Sequence, residues 1–171
     1  IGYGQTEASP IITQTRVDDP LELRVETVGR PIPGLEVKVV DPATGESLGD
    51  NVQGELCARG HCVMLGYYNN PEATSEAIDT DGWLHTGDLA VRLPNGYYKI
   101  TGRLKDMVIR GGENIYPREI EEFLFTHPAV EQAAVVGVPD PKYGEELCVW
   151  IKLKNGQQAT VDEIRAFCKA Q

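Results

Sequence analysis

Basic residues are scarce in this chain: Lys and Arg total 16 against 26 Asp and Glu, a formal net charge of -10. That balance excludes a broad electrostatic attraction to nucleic acid or anionic lipid, so any polyanion the protein binds must be gripped locally. Long apolar runs are missing too. No stretch approaches the roughly 20 residues a membrane helix needs, and the opening IGYGQTEASP has neither the basic nor the apolar region of a signal peptide. No transmembrane segment is expected, and residence is expected to be cytoplasmic. Cysteine is sparse and unpatterned. Cys57, Cys62, Cys148 and Cys168 fall at no CxxC spacing and lie among apolar neighbours, which reads as buried reduced thiols rather than a zinc or disulfide site. Internal repeats, low-complexity tracts and long charge runs are absent as well. What remains is a 171-residue chain, 41% hydrophobic, with room for one ordinary domain or two small ones.

The first half reads as short strands and turns. LEVKVVD alternates, PATGE turns, and QGELCARG follows as a partner strand. In LAVRLPNGYYKITG, two β-prone runs flank PNG, where Asn-Gly supplies the positive φ angles of a tight hairpin. One helix is predicted in this sheet-rich region, at NNPEATSEAI, with Asn70 as cap and Pro71 at the first helical position. After Arg103 the pattern changes to alternating helices and strands. YPREIEEFLFTHP opens on Pro117, places Ile120, Phe123 and Leu124 on one face and stops before Pro128. VEQAAVVGV and LCVWIKL are apolar enough for buried strands, and TVDEIRAFCK opens with a capping box from Thr160 to Glu163. The compositional seam near residues 103–106 marks a domain boundary. The piece beyond it, about 65 residues, is near the lower size limit for independent stability.

Chemistry concentrates in a few words of the sequence. YGQTE holds an aromatic, a flexible glycine, a hydroxyl and a carboxylate. In WLHTGDLA, Asp88 follows a glycine, where its carboxylate either accepts two hydrogen bonds from a diol or simply closes a turn. TGRLKDMVIRGGENIYPREIEEF, residues 101–123, joins two basic residues, a Gly-Gly pair and a helix start.

Taken in order, YGQTE, GELCARG, GWLHTGD, GRLKD and GGENIYPREIE closely resemble the adenylate-forming superfamily of acyl-CoA synthetases, luciferases and peptide-synthetase adenylation domains. The resemblance runs from the first residue to nearly the last, and its wording looks most like a fatty or medium-chain acyl-CoA ligase. It implies an α+β fold in which residues 1–104 are the β-rich end of a large AMP-binding domain, hinged to a small mobile C-terminal domain, 105–171. The implied reaction joins a small-molecule carboxylic acid, fatty or otherwise aliphatic, to coenzyme A at the expense of ATP, with Mg2+ present. Carboxylate attacks the α-phosphate to give acyl-AMP, and the thiol of coenzyme A then displaces AMP.

The resemblance also implies roles for single residues. Tyr3 would stack on adenine beside Gly4, Thr6 would hydrogen-bond the phosphate of the adenylate, and Glu7 would hold the magnesium ion. Each role suits its side chain: a flat apolar ring for a base, a carboxylate oxygen for a hard cation. Asp88 would accept both ribose hydroxyls, and Arg103 would reach the same sugar. Lys105, with Asp106 beside it, would sit at the pivot about which the small domain rotates between the two half-reactions. Gly111 and Gly112 would line the tunnel for the pantetheine arm, where close backbone approach favours glycine, or form a simple turn before Pro117, and both can hold. Arg110 is either a partner for coenzyme A phosphates or a surface charge. His85 and His127 are given no catalytic part, and Trp83 and Trp150 read as packing residues.

Two elements of the family pattern find no match. One is the Gly-rich Ser/Thr loop that wraps the β- and γ-phosphates, placed by the family upstream of YGQTE. The other is a lysine, placed beyond FCKAQ, that stabilises charge in the adenylation transition state, a kind of preorganised group worth about 10²–10³ in rate. The expectation is a portion of the enzyme that does not by itself make acyl-AMP. Two alternatives stand beside the ligase: a peptide-synthetase-type adenylation domain, and a non-catalytic nucleotide-binding module. The intact Asp88, Arg103 and Lys105 speak against the latter.

Overall fold

Alternation of apolar and polar residues along short segments sets the architecture. The computed structural model describes residues 1–169 and falls into two units, Ile1–Leu104 and a second that starts at Lys105. In the first unit, β1 (Gly2–Gly4) runs through a 3-10 turn, Thr6–Ala8, into β2 (Ile11–Gln14). Helix α1 (Leu21–Glu26) then leads to β3 (Arg30–Pro31), which completes a three-stranded sheet ordered β1-β2-β3. The second sheet is an antiparallel meander of β4 (Leu35–Val40), β5 (Gln53–Gly60), β6 (Leu84–Arg92) and β7 (Tyr98–Arg103). Helix α2 (Pro71–Ala77) interrupts it between β5 and β6. As the sequence predicts, Asn70 caps α2 by accepting a 3.1 Å bond from the Ala73 N–H, and Pro71 takes the first turn.

Two details differ from expectation. Helix α1 is a second helix in this half; it buries none of its residues, so no apolar face announces it. The β6–β7 hairpin is not the two-residue turn suggested by Asn-Gly. Pro94, its φ fixed near -65°, starts a turn closed by Gly96 N–H to Leu93 O at 2.8 Å, and only Gly96 takes a positive φ, +80°.

The core of this unit joins both sheets. Ile12, Leu56 and Leu84 have no exposed surface, and Val39, Ala58, Ala90 and Tyr98 pack with them. Full burial of each large aliphatic side chain contributes about 1.5–3 kcal/mol. Tyr98 keeps its hydroxyl satisfied by donating to Val37 O at 3.0 Å.

The second unit opens within a 3-10 turn, Leu104–Asp106. It contains β8 (Val108–Arg110), β9 (Glu113–Ile115), α3 (Pro117–Leu124), β10 (Val130–Asp140), β11 (Gly144–Leu153) and α4 (Val161–Lys169), with sheet order β10-β11-β8-β9. Helix α3 buries Leu124 and half-buries Ile120 and Phe123; the Phe123 ring stacks on Phe167 of α4 at 4.8 Å between centroids. The predicted capping box is present in full: Thr160 N–H donates to Glu163 Oε2 at 2.7 Å, and Glu163 N–H to Thr160 Oγ1 at 3.2 Å.

Strands β10 and β11 form where predicted but are not buried. Helix α3 packs on β10 and Val135 is buried, whereas its neighbour Val136 points the other way and is 43% exposed. On β11, Trp150 is 70% exposed, so it is not a packing residue within this unit. The thiols correct similarly: Cys57 and Cys62 are buried, Cys148 is half-buried and Cys168 is exposed, all four free. Among the described residues, no helix is long and apolar enough to cross a membrane.

Candidate functional site

Two irregularities in the meander build the site. Along β5 and β6 the register runs Gln53↔Val91, Gly54↔Ala90 and Glu55↔Leu89, then resumes at Cys57↔His85. Leu56 alone therefore faces an arch of Thr86, Gly87 and Asp88. Gly87 turns the arch with a φ of +70°, and a Cβ there would meet nothing, so backbone conformation rather than crowding requires glycine. Side chains take over for the interrupted ladder. Gly87 N–H donates to Glu55 Oε1 at 2.9 Å, Thr86 Oγ1 to Leu56 O at 2.6 Å, and Asp88 N–H to Thr86 Oγ1 at 3.2 Å.

The second irregularity lies between β6 and β7. Ala90 pairs with Ile100 but Leu89 pairs with Gly102, leaving Thr101 as the extra residue of a β-bulge. The shift brings Arg103, rather than Gly102, opposite Asp88. Arg103 Nε then lies 3.2 Å from Asp88 Oδ1. Thr101 Oγ1 is buried without a partner among the described residues, and such an orphan costs about 1–3 kcal/mol. The fold keeps that cost at the step that sets the Asp88–Arg103 pairing.

Tyr3 closes the cluster from β1, its hydroxyl donating to Asp88 Oδ2 at 2.7 Å. Burial, reinforced by the Asp88 charge, pushes the phenol well above its usual pKa, so it stays a donor at any physiological pH. A carboxylate accepts about four hydrogen bonds. Tyr3 and Arg103 each take one on Asp88, which leaves capacity for the two hydroxyls of a cis-diol. Three residues from distant parts of the sequence thus meet on one carboxylate whose side chain is only 14% exposed.

Thr6 and Glu7 sit on the 3-10 turn that follows β1, pegged by the fully buried Ala8. Thr6 is exposed. Glu7 is clamped by the loop after β5: Met64 N–H donates to its carbonyl at 2.8 Å and Tyr67 OH to its Oε1 at 2.8 Å. Gly4 has a packing reason of its own, since a Cβ there would overlap the Pro10 carbonyl oxygen across the β1–β2 ladder.

Lys105, Gly111 and Gly112 belong to the second unit. Lys105 is exposed on its 3-10 turn. Gly111 and Gly112 form the two-residue turn of the β8–β9 hairpin with φ of +61° and +90°. Left-handed backbone is what demands glycine here; a Cβ on Gly112 would meet nothing, and one on Gly111 would make only ordinary contact with Tyr143. Arg110 is paired with Glu146 at 2.7 Å and lies over the Tyr143 ring, and this pairing holds the Glu146 carboxyl below its usual range.

Sequence reasoning passed over Glu55, Thr86 and Tyr67. The signal for Glu55 was available: a lone acid within the apolar stretch GELCA on a strand that must be buried. With Cys57 and His85 it forms a trio whose ligand-type atoms lie within 4.8 Å of one another. Hydrogen bonds account for that grouping. His85 Nδ1 is 2.8 Å from Glu55 Oε2, Glu55 Oε1 is taken by Gly87, and burial with the Glu55 charge pushes the Cys57 thiol up to about 12. Trp83, half-buried, carries Lys38 and Arg59 over its ring at 4.2 and 4.5 Å. His127 meets Phe167 edge-on.

The family described as AMP-binding enzyme matches residues 1–68, and the AMP-binding enzyme C-terminal domain matches residues 119–171. The putative acyl-CoA synthetase YngI of Bacillus subtilis is 61% identical over 171 residues, covering 100% of this chain and 31% of YngI. The human mitochondrial medium-chain acyl-CoA ligase ACSF2 is 49% identical over the same 171 residues, 28% of its length. Among solved structures, ATP-bound MatB from Rhodopseudomonas palustris superposes with a TM-score of 0.93 at 35% identity, covering 99% of this chain and 33% of MatB. The chain thus spans about three-tenths of the length of the curated relatives it matches. With matches in both its halves and acyl-CoA synthetases aligned over its whole length, the chain belongs to the adenylate-forming family of AMP-binding enzymes.

Proposed function

We propose that this chain carries the nucleotide-handling part of an ATP-dependent acyl-CoA synthetase acting on a fatty or other aliphatic carboxylic acid. The observation that carries the reading is the convergence of Tyr3 and Arg103 on Asp88. Asp88 accepts the ribose diol, and its two fixed donors keep both oxygens oriented before the nucleotide arrives. That order of events favours binding, because the acceptor need not be reorganised. The adenine lies on the Tyr3 ring beside Gly4, and Thr6 donates to the α-phosphate.

The donor set suits magnesium. Tyr67 holds one oxygen of Glu7, and the other is a hard ligand of the kind that Mg2+ takes singly alongside substrate phosphates. When bound, the ion supplies charge neutralisation on the phosphates. In the first half-reaction a carboxylate oxygen of the acid attacks the α-phosphorus and pyrophosphate leaves. In the second the coenzyme A thiol, as thiolate, attacks the acyl carbonyl and AMP leaves. Residues 1–104 serve the nucleotide, and residues 105–171 act as a small mobile domain pivoting at Lys105, with Gly111 and Gly112 beside the pantetheine arm. The similarity to YngI and ACSF2 supports the ligase branch, and the name of the latter supports a medium-chain acid.

The test is AMP release from ATP by the protein encoded in the full coding sequence, across aliphatic, aromatic and amino acids, with and without coenzyme A. Turnover requiring both coenzyme A and an aliphatic acid is the expected result. Pyrophosphate release with amino acids, indifferent to coenzyme A, would instead identify a peptide-synthetase-type adenylation domain. Silence with every acid would favour the non-catalytic module.

A further inference from the structure

We infer that Glu55 is a positioning residue for nucleotide binding: its carboxylate stands in for the missing β-ladder partner of the 86–88 arch and thereby aims Asp88 at the ribose. This rests on the reading of Asp88 as the ribose acceptor.

An arch of three residues opposite one leaves backbone donors without strand partners, and in a buried sheet such groups must find others. Glu55 supplies the replacement. It is 7% exposed, on the strand directly beside the arch, and its Oε1 accepts the Gly87 N–H at 2.9 Å, the bond immediately preceding Asp88 in the chain. Its Oε2 meets His85 Nδ1 at 2.8 Å, so one carboxylate spans the arch from the residue before it, His85, to its apex. His85 is in turn placed from the far side by Asp79, 3.7 Å from Nε2. Thr86 adds the second brace through Leu56 O and the Asp88 N–H. Gly87, at a φ of +70°, has no side chain to fix its conformation, and a Cβ there would meet nothing. The Asp88 carboxylate is itself aimed by Tyr3 and Arg103; its backbone is held by the β7 ladder on one side and, on the β5 side, by Glu55 and Thr86 in place of a strand partner. A buried acid that touches no diol is thus set to control how well the diol is held.

This role differs from general stabilisation in what it should move. Loss of the Glu55 brace should act on the ribose contacts specifically, and so on the preference for ATP over 2′,3′-dideoxy-ATP, which lacks the diol. The full-length enzyme is assayed with both nucleotides in four forms: wild type, Asp88→Ala, Glu55→Ala and Glu55→Gln. Glu55→Ala should raise the KM for ATP about tenfold, with a smaller change in kcat, and collapse most of the preference for ATP. Glu55→Gln keeps a carbonyl for Gly87 N–H and should retain most of that preference. If Glu55→Ala does not fold, Glu55→Asp, one methylene too short to reach Gly87, carries the same expectation. A Glu55→Ala enzyme that is less heat-stable but prefers ATP as strongly as wild type would overturn the inference while Asp88→Ala still upheld the ribose site. An Asp88→Ala enzyme with an unchanged preference would overturn the ribose site itself and the inference with it.

Discussion

The two units carry their candidate residues in different ways. In the first, Asp88 is embedded in a sheet, opposite Arg103 by strand register and cross-braced by Tyr3, Thr86 and Glu55. In the second, Lys105 is exposed on a 3-10 turn, and Gly111 and Gly112 form a turn between two three-residue strands. One site is fixed by many partners of high sequence separation; the other depends on local backbone torsions. The contrast fits the proposed division of labour, in which a sugar is held still and a thioester-forming arm is admitted by movement.

The comparison breaks most severely at Asp88. Its replacement by Ala should remove two hydrogen bonds to a charged acceptor, each worth about 1.5–3 kcal/mol, and weaken AMP binding a hundredfold or more, measured by calorimetric titration. Next comes the core. Leu56→Ala, at a fully buried position beneath the arch, should cost about 2–5 kcal/mol in denaturant unfolding, whereas Trp150→Ala on the open face of β11 should cost well under about 1 kcal/mol. Equal losses at the two positions would erase the distinction between the units. A finer cut separates Arg103 from the bulge. Arg103→Ala removes the contact to Asp88 and should lower AMP affinity about tenfold, whereas deletion of Thr101 removes only the unpaired residue, leaves Gly102 opposite Leu89 and Arg103 opposite Asp88, and should cost much less affinity.

The smallest effect belongs to the second unit. The Thr160 backbone and hydroxyl donors hold the Glu163 carboxyl below its usual pKa. A depressed carboxyl contributes stability that is present above its unfolded value, about 4.3, and lost as pH falls through its lower folded value. Thr160→Ala should therefore melt slightly earlier than wild type at neutral pH, and the difference should shrink as pH falls below about 4. A difference that grew on acidification would remove the capping box from the account.

Much of this was legible in the sequence, and the failures have physical causes. Asn70–Pro71 and Thr160–Glu163 announced their helices because caps are local, depending on residues within one turn. The candidate residues Tyr3, Asp88 and Arg103 were legible as words in a familiar order, but their meeting was not, since it depends on a bulge and an arch that no periodicity signals. GELCA flagged Glu55 as an acid on a buried strand, but not its role: its partner Gly87 is 32 positions away and meets it only once the register shifts. The opposite error occurred in β10 and β11. An apolar run specifies a strand but not how many faces a neighbour covers, so Val136 and Trp150 were read as buried. At the β6–β7 turn, Pro94 outranked Asn-Gly because a locked φ decides the turn type first.

The most direct test of the central claim is the affinity of the full-length protein for AMP compared with 2′,3′-dideoxy-AMP, in wild type and in Asp88→Ala. The account predicts that wild type prefers AMP by about a hundredfold, the worth of two hydrogen bonds to a charged group, and that Asp88→Ala binds the two alike. Equal affinities in wild type, or a preference untouched by Asp88→Ala, would contradict it.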